Sequence, residues 1–132
     1  MKKLVLLWAL VAFLLAGCAA ENSRVMSPAA SGPAVVFLDD QVGKIISFLN
    51  HRQQRLPSNH VEITLQCLNH SKTAAWVDWK IVFLDQQGFS LEETEWQREY
   101  FAPGEIRVLQ ANSLKTNVDD YQVLVRLPPA VK

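Results

Sequence analysis

Little in the 132-residue chain can carry catalysis. Five glycines leave scant material for a loop that cradles phosphate, and neither a glycine-rich phosphate motif nor a Gly-x-Ser-x-Gly nucleophile elbow occurs. The three histidines, His51, His60 and His70, stand nine and ten residues apart, without the close His or Cys pairing of zinc motifs, so no metal site and no cofactor are expected. Thirteen basic residues balance thirteen acidic ones, which argues against a surface for nucleic acid or anionic lipid, since each needs clustered Lys and Arg. No stretch shows the 3.6-residue periodicity of an amphipathic helix. Only two cysteines are present, too few for a disulfide framework.

What is there begins at the N-terminus. Met1-Lys2-Lys3 precedes an apolar run from Leu4 to Leu15, closed by Ala16-Gly17-Cys18. A cationic start, about a dozen apolar residues and then small residues is the layout of a secretory signal. The run is short of the roughly 20 residues that a spanning helix needs. A cysteine placed directly after the small residues looks like a bacterial lipobox, in which the thiol accepts diacylglycerol and a peptidase cuts before Cys18. On that reading residues 1–17 are a signal peptide and Cys18 is the lipid attachment site. Two acyl chains make a membrane anchor stable, and three make it effectively permanent. Ala19 follows the cysteine, where Asp would retain an enterobacterial lipoprotein in the inner membrane. The expectation is therefore the outer membrane, on its periplasmic face. Without Lys2 and Lys3, 11 basic residues face 13 acidic ones, a balance of −2.

Residues 18–34 read as a lipidated cysteine and a tether, because Ser27-Pro28-Ala29-Ala30-Ser31-Gly32-Pro33 buries too little apolar surface to offset its ordering entropy. Residues 35–132 read as one domain. Strands are expected at Val35–Leu38, at Lys44–Leu49 (stopped by the polar run Asn50–Arg55), from His60 to Cys67, and at Ala75–Asp85. Further strands are expected at Phe89–Trp96, Ile106–Leu109 and Tyr121–Leu127. Turns are marked by Pro57-Ser58-Asn59, Asn69-His70-Ser71-Lys72, Asp85-Gln86-Gln87-Gly88 and Phe101-Ala102-Pro103-Gly104-Glu105. Alternation places Val61, Ile63, Leu65 and Cys67 on one face, and Val77, Trp79, Ile81 and Phe83 on the core face of the strongest strand. Trp76, Asp78 and Lys80 share its other face. About seven short strands with turns near every tenth residue predict an all-β fold, an antiparallel β-sandwich. Cys67 and Trp79, 12 residues apart on successive strands, make it immunoglobulin-like by analogy with the cysteine and core tryptophan of those domains. Cys67, unpaired once Cys18 is acylated, is expected in its core, with Trp79 at the centre.

Three candidate constellations have blander readings. The histidines lie in or beside turns and read as solvated. Glu92-Glu93 with Glu95 and Glu99 offers carboxylates for acid–base work, but a charge run near strand ends is commonly a solvated face. Cys67 and His70 are three apart across a strand end, where side chains rarely face each other. No catalytic residue is assigned, and an enzyme is the least expected class. Trp76 and Trp96 are the candidate partner-contact residues. Trp76 lies opposite Trp79 on its strand, so it either packs beneath a loop or at the sandwich end, or forms an aromatic patch for a protein or glycan.

From Leu65 to Leu127 the pattern is more specific. Asn69-His70-Ser71 is followed by Val77-Asp78-Trp79-Lys80-Ile81-Val82-Phe83-Leu84-Asp85-Gln86-Gln87-Gly88-Phe89. Trp96, Pro103-Gly104-Glu105, Ala111 and a strand from Tyr121 to Leu127 come next. This order of Asn-x-Ser, aromatic-rich strand, Asp-x-x-Gly, Trp and Pro-Gly resembles the YcfL-like lipoproteins, a proteobacterial family with a domain of unknown function. Two positions depart from it: Asp78-Trp79-Lys80 stands where Tyr-Arg is usual, and Ala111-Asn112 where Ala-Pro is usual. The resemblance implies an immunoglobulin-like sandwich in an envelope lipoprotein and lends no activity. Some relatives are encoded near lipoprotein activators of peptidoglycan synthases, and by that association the resemblance implies cell-wall synthesis machinery as a partner class. The expected function is a non-catalytic module, held to the membrane by its lipid, that binds or positions a periplasmic protein. The alternative is a small-ligand or glycan-binding lipoprotein using the Trp76 face.

Overall fold

The computed structural model describes residues 34–130, so the stretch expected to be a signal peptide, Cys18 and nearly all of the expected tether lie outside the described residues. Eight strands and one helical turn follow in order: β1 (Ala34–Phe37), α1 (Asp40–Gly43), β2 (Ile46–Arg55), β3 (Val61–Asn69), β4 (Ala75–Leu84), β5 (Ser90–Glu93), β6 (Gln97–Phe101), β7 (Ile106–Asn112) and β8 (Asp120–Arg126). One sheet runs β1-β8-β4-β5, with β6 also paired to β4; the other runs β2-β3-β7. Two sheets burying their apolar faces against each other make the expected β-sandwich. All pairings are antiparallel except β1 with β8, which is parallel.

The alternating pattern of β3 and β4 is the origin of the core. Val61, Ile63, Leu65 and Cys67 from β3 meet Val77, Trp79, Ile81 and Phe83 from β4, and all eight are buried. Tyr121, Val123 and Val125 of β8 and Leu109 and Ala111 of β7 complete it. Trp79 is 1% exposed, where the sequence placed the centre of the core.

Several boundaries differ from expectation, each for a physical reason. The polar run Asn50–Arg55 does not stop the second strand; it is the longer half of β2, antiparallel to β3 after a bulge at Leu49. Beyond the bulge, His51, Gln53 and Arg55 stand opposite the inward residues Leu65, Ile63 and Val61. Their polar ends reach across the rim of the sandwich. His51 Nδ1 lies 2.7 Å from the Tyr121 hydroxyl, and Gln53 Nε2 donates to the Asp119 carbonyl at 3.1 Å. The Arg55 guanidinium donates to the carbonyls of Thr116 and Val118 at 2.9 and 2.6 Å. These side chains close one edge between the sheets with hydrogen bonds instead of hydrocarbon.

The strand expected at Phe89–Trp96 is interrupted. β5 ends at Glu93, and β6 resumes on the same edge of β4 from Gln97. In the gap Thr94 N donates to Ile81 O at 2.9 Å, and the Thr94 hydroxyl accepts from Ile81 N at 3.0 Å. A side chain thus replaces one rung of the ladder and frees Trp96 to turn back over the sheet. Phe101, read as part of a turn, is instead the buried last residue of β6. β7 runs on to Asn112, three residues past its expected end at Leu109. The single turn α1 was absent from the sequence reading; Asp39 caps it by accepting from Gln41 N at 2.8 Å.

Candidate functional site

The motifs that carry the family resemblance are turn-building devices. Asn69, fully buried, donates from Nδ2 to the carbonyls of Thr73 and Phe101 and accepts at Oδ1 from the Ser71 amide and hydroxyl. Asp85 Oδ1 accepts from the amides of Gln87 and Phe89, and Gly88 takes φ of 85°, which side chains resist. Gly104 takes φ of 71° in the Pro-Gly turn. Each of these groups is used by the fold, so a functional surface has to be sought elsewhere.

It is found on the outward face of the larger sheet. Alternation along β4 sends Trp76, Asp78 and Lys80 outward, as expected, and the register with β6 and β8 decides what stands beside them. Trp76, 54% exposed, is opposite Tyr100, and the two rings lie 5.1 Å apart at 59°. Such tilted pairs are favourable because each ring presents its electropositive edge to the other's face. Asp78 is opposite Arg98 on one side and Arg126 on the other. Arg98 donates to both carboxylate oxygens, from Nε at 2.8 Å and Nη2 at 3.2 Å. Arg126 Nε approaches Asp78 Oδ2 to 3.7 Å. Asp78 thus faces away from the core, yet its side chain is only 5% exposed. The hydrogen bond from Arg98 raises that guanidinium's already high pKa further, with the Asp78 charge adding to the effect and burial opposing it.

Trp96 caps the other side of the strip. The Arg126 guanidinium carbon is 3.9 Å from its ring centroid and Lys80 Nζ is 5.1 Å away, so the indole is held by two cations. Lys80 also pairs with Glu93 at 2.9 Å. The two candidate partner residues thus share one face but differ: Trp76 is open to solvent, whereas Trp96 is half-buried against its own protein's cations. Tyr100, Arg98 and Arg126 were missed by sequence reasoning. Their only signal is cross-strand register, which becomes visible once the break at Thr94 is known.

The other candidates fall apart or become structural. His51 is a strand residue bound to Tyr121, not a turn residue; His60 and His70 lie beside turns, and the three do not converge. Among the described residues no group of three or more His, Cys, Asp or Glu side chains could hold a metal. Glu92 Oε1 accepts from the amides of Leu114 and Lys115 at 2.7 and 2.9 Å, and Glu99 pairs with Arg107 at 3.3 Å. Burial pushes the Cys67 thiol up to about 12, far from reactivity. An open depression of about 290 Å³ on the smaller sheet is lined by Asn50, His51, Arg52, Thr64, Gln66 and Val108. A second, of about 220 Å³, lies between Glu92 and Leu114.

Fold and surface together define a two-sheet β-sandwich with an aromatic and cationic strip on one outer face. No family model and no curated protein matches the chain. Two solved structures share its fold. The crystal structure of Campylobacter jejuni cj0090 superposes with a TM-score of 0.59 at 16% identity, covering 72% of this chain and 98% of that one. A DUF1425 family member from Shewanella sp. pv-4 gives 0.57 at 12% identity, covering 65% and 81%. The second belongs to a family whose designation assigns no activity.

Proposed function

We propose that the chain is an outer-membrane lipoprotein of the YcfL-like kind, acylated at Cys18, whose periplasmic sandwich binds or positions another envelope protein without catalysis. The fold shared with a DUF1425 family member is compatible with that kinship. The observation that carries the binding role is the Trp76–Tyr100 pair, two solvent-facing aromatic rings in contact on a rigid strand pair. Rigid aromatic anchors bind at low entropic cost, and such residues dominate the energetics of protein interfaces. The charged groups beside the pair are committed to one another, Asp78 to Arg98 and Arg126, which favours a docking face over a catalytic centre. The partner class suggested by the resemblance is the cell-wall synthesis machinery.

A second reading is favoured by Trp76 itself, an open indole platform beside the half-exposed Arg98, which suits stacking and hydrogen bonding to a sugar ring. The Trp76→Ala/Tyr100→Ala double variant separates the two. In crosslinked native envelopes it should lose a defined protein adduct that the parent chain retains, while its circular-dichroism spectrum stays that of the folded chain. Loss of binding to peptidoglycan fragments, with the adduct unchanged, would support the glycan reading instead.

A further inference from the structure

The two most exposed large hydrophobic residues among the described residues, Leu114 (85%) and Phe89 (70%), belong neither to the core nor to the aromatic strip. Topology puts them together. Phe89 closes the turn after β4, and Leu114 follows β7. Glu92, at the start of the chain's return beside β4, accepts from the amides of Leu114 and Lys115, and Lys115 Nζ donates to the Leu91 carbonyl at 2.8 Å. Asp119 N donates to Leu84 O at 2.9 Å. Two apolar tips are thereby held at one end of the sandwich by four hydrogen bonds.

The same end is where the preceding chain joins the domain. Because β1 is parallel to β8, its first residue pairs with Gln122 near the start of β8, and the start of β8 in turn pairs with Leu84 at the end of β4. Had β1 been antiparallel, the chain would join at the end bearing Trp76. Two of the acidic groups beside the tips are engaged by the backbone. Asp85 is occupied by the amides of Gln87 and Phe89, and Glu92 by those of Leu114 and Lys115.

We propose that this end is a membrane-seating surface: Phe89 and Leu114 enter the interface of the bilayer that holds the acylated Cys18. The inference rests on the lipoprotein reading above. Two side chains would hold a free protein to a membrane only weakly. Sixteen residues from Cys18 to Ala34 span at most about 50 Å, so the tethered domain meets its own bilayer at a high effective concentration. Lys115 can keep its ammonium at the headgroups while its stem lies along apolar surface. A zwitterionic surface suits the site better than an anionic one, since Asp119 and Asp120 stand nearby. Seated this way, the domain stands on end and lifts Trp76 about 26 Å above Leu84 along β4, toward the periplasm.

The test uses the full-length lipoprotein in phosphatidylcholine vesicles, with a nitroxide at Gln87→Cys or, at the opposite end, at Lys72→Cys. Buried Cys67 should stay unlabelled. The Gln87 label should collide with oxygen more than with a water-soluble nickel chelate, and the Lys72 label the reverse. Adding Phe89→Ser and Leu114→Ser should return the Gln87 label to the Lys72 pattern, with the melt unchanged. A Gln87 label as open to the chelate as the Lys72 label, on protein that sediments with vesicles, overturns the seating alone. Protein that lacks diacylglycerol on Cys18 by mass and does not sediment overturns the anchor, and the seating with it.

Discussion

Replacing Trp79 with alanine probes the facing of β4, on which both the core and the outer strip depend. Trp79 is 1% exposed, and Trp76, three residues earlier on the opposite face, is 54% exposed. Removing a buried Trp forfeits its transfer free energy and leaves a cavity, together about 3–5 kcal/mol. A domain of this size has roughly 5–15 kcal/mol in all. At about 4–8 °C per kcal/mol, Trp79→Ala should lower the melting temperature by some 12–40 °C. Trp76→Ala loses the contact with Tyr100, about 0.5–1.5 kcal/mol, and the modest area it buries. The lost ring pair alone should shift the melt by only about 2–12 °C. Trp79→Phe is a useful third variant, because among the described residues the Trp79 indole N–H has no hydrogen-bond partner. Phenylalanine removes that buried orphan along with some volume, so it should cost much less than alanine. Urea titrations and thermal melts of chains beginning at Ala19 would measure all three. If Trp76→Ala proved as damaging as Trp79→Ala, the facing would be wrong, and the proposed docking strip would be core.

Arg55→Ala, although at an exposed position, should destabilise the chain by about 1.5–3 kcal/mol, because its charged fork holds the carbonyls of Asn59, Thr116 and Val118; Arg55→Lys should not rescue the urea midpoint. Asn69→Ala should cost about 1–3 kcal/mol or more in the same titration, since it orphans buried groups of the turn and of Phe101. Burial raises Cys67 and Tyr121 each to about 12 in the folded chain, with Asp120 adding to the effect at Tyr121. Both groups ionise more readily when unfolded, so their contribution is intact below the ordinary thiol and phenol values and is lost as pH climbs toward 12. The melting temperature should therefore fall from about pH 9 upward, and Cys67→Ala should flatten the first part of that decline.

How far the sequence could be read depended on whether a position's neighbours were apolar. β3 and β4 were legible because Val61 to Cys67 and Val77 to Phe83 alternate against hydrocarbon, and period two then names the face. β2 was half-legible: its inward residues past the bulge are His51, Gln53 and Arg55, which satisfy carbonyls and a phenol across the rim, so no apolar period exists to detect. The break between β5 and β6 hinges on Thr94 supplying a side-chain rung, which no composition signal announces. Trp76 and Trp96 were both singled out, but nothing in the sequence set them on one face, and their exposure differs. What separates them is cross-strand register, which brings Tyr100 to Trp76 and sets Arg126 and Lys80 against the ring of Trp96. Asp78 shows the same limit, since alternation put it outward while two arginines from the neighbouring strands pair with it and leave its side chain 5% exposed.

The central claim is that the outer face bearing Trp76 and Tyr100 is where the chain meets its partner. A photoreactive phenylalanine analogue placed at Tyr100, with a matched one at Gln110 on the outer face of the other sheet, tests it in intact envelopes. The expected result is one defined protein adduct from Tyr100, absent from Gln110 and lost when Trp76→Ala is added. The same adduct from Gln110, or none from Tyr100 in a chain that is folded and membrane-held, would contradict it.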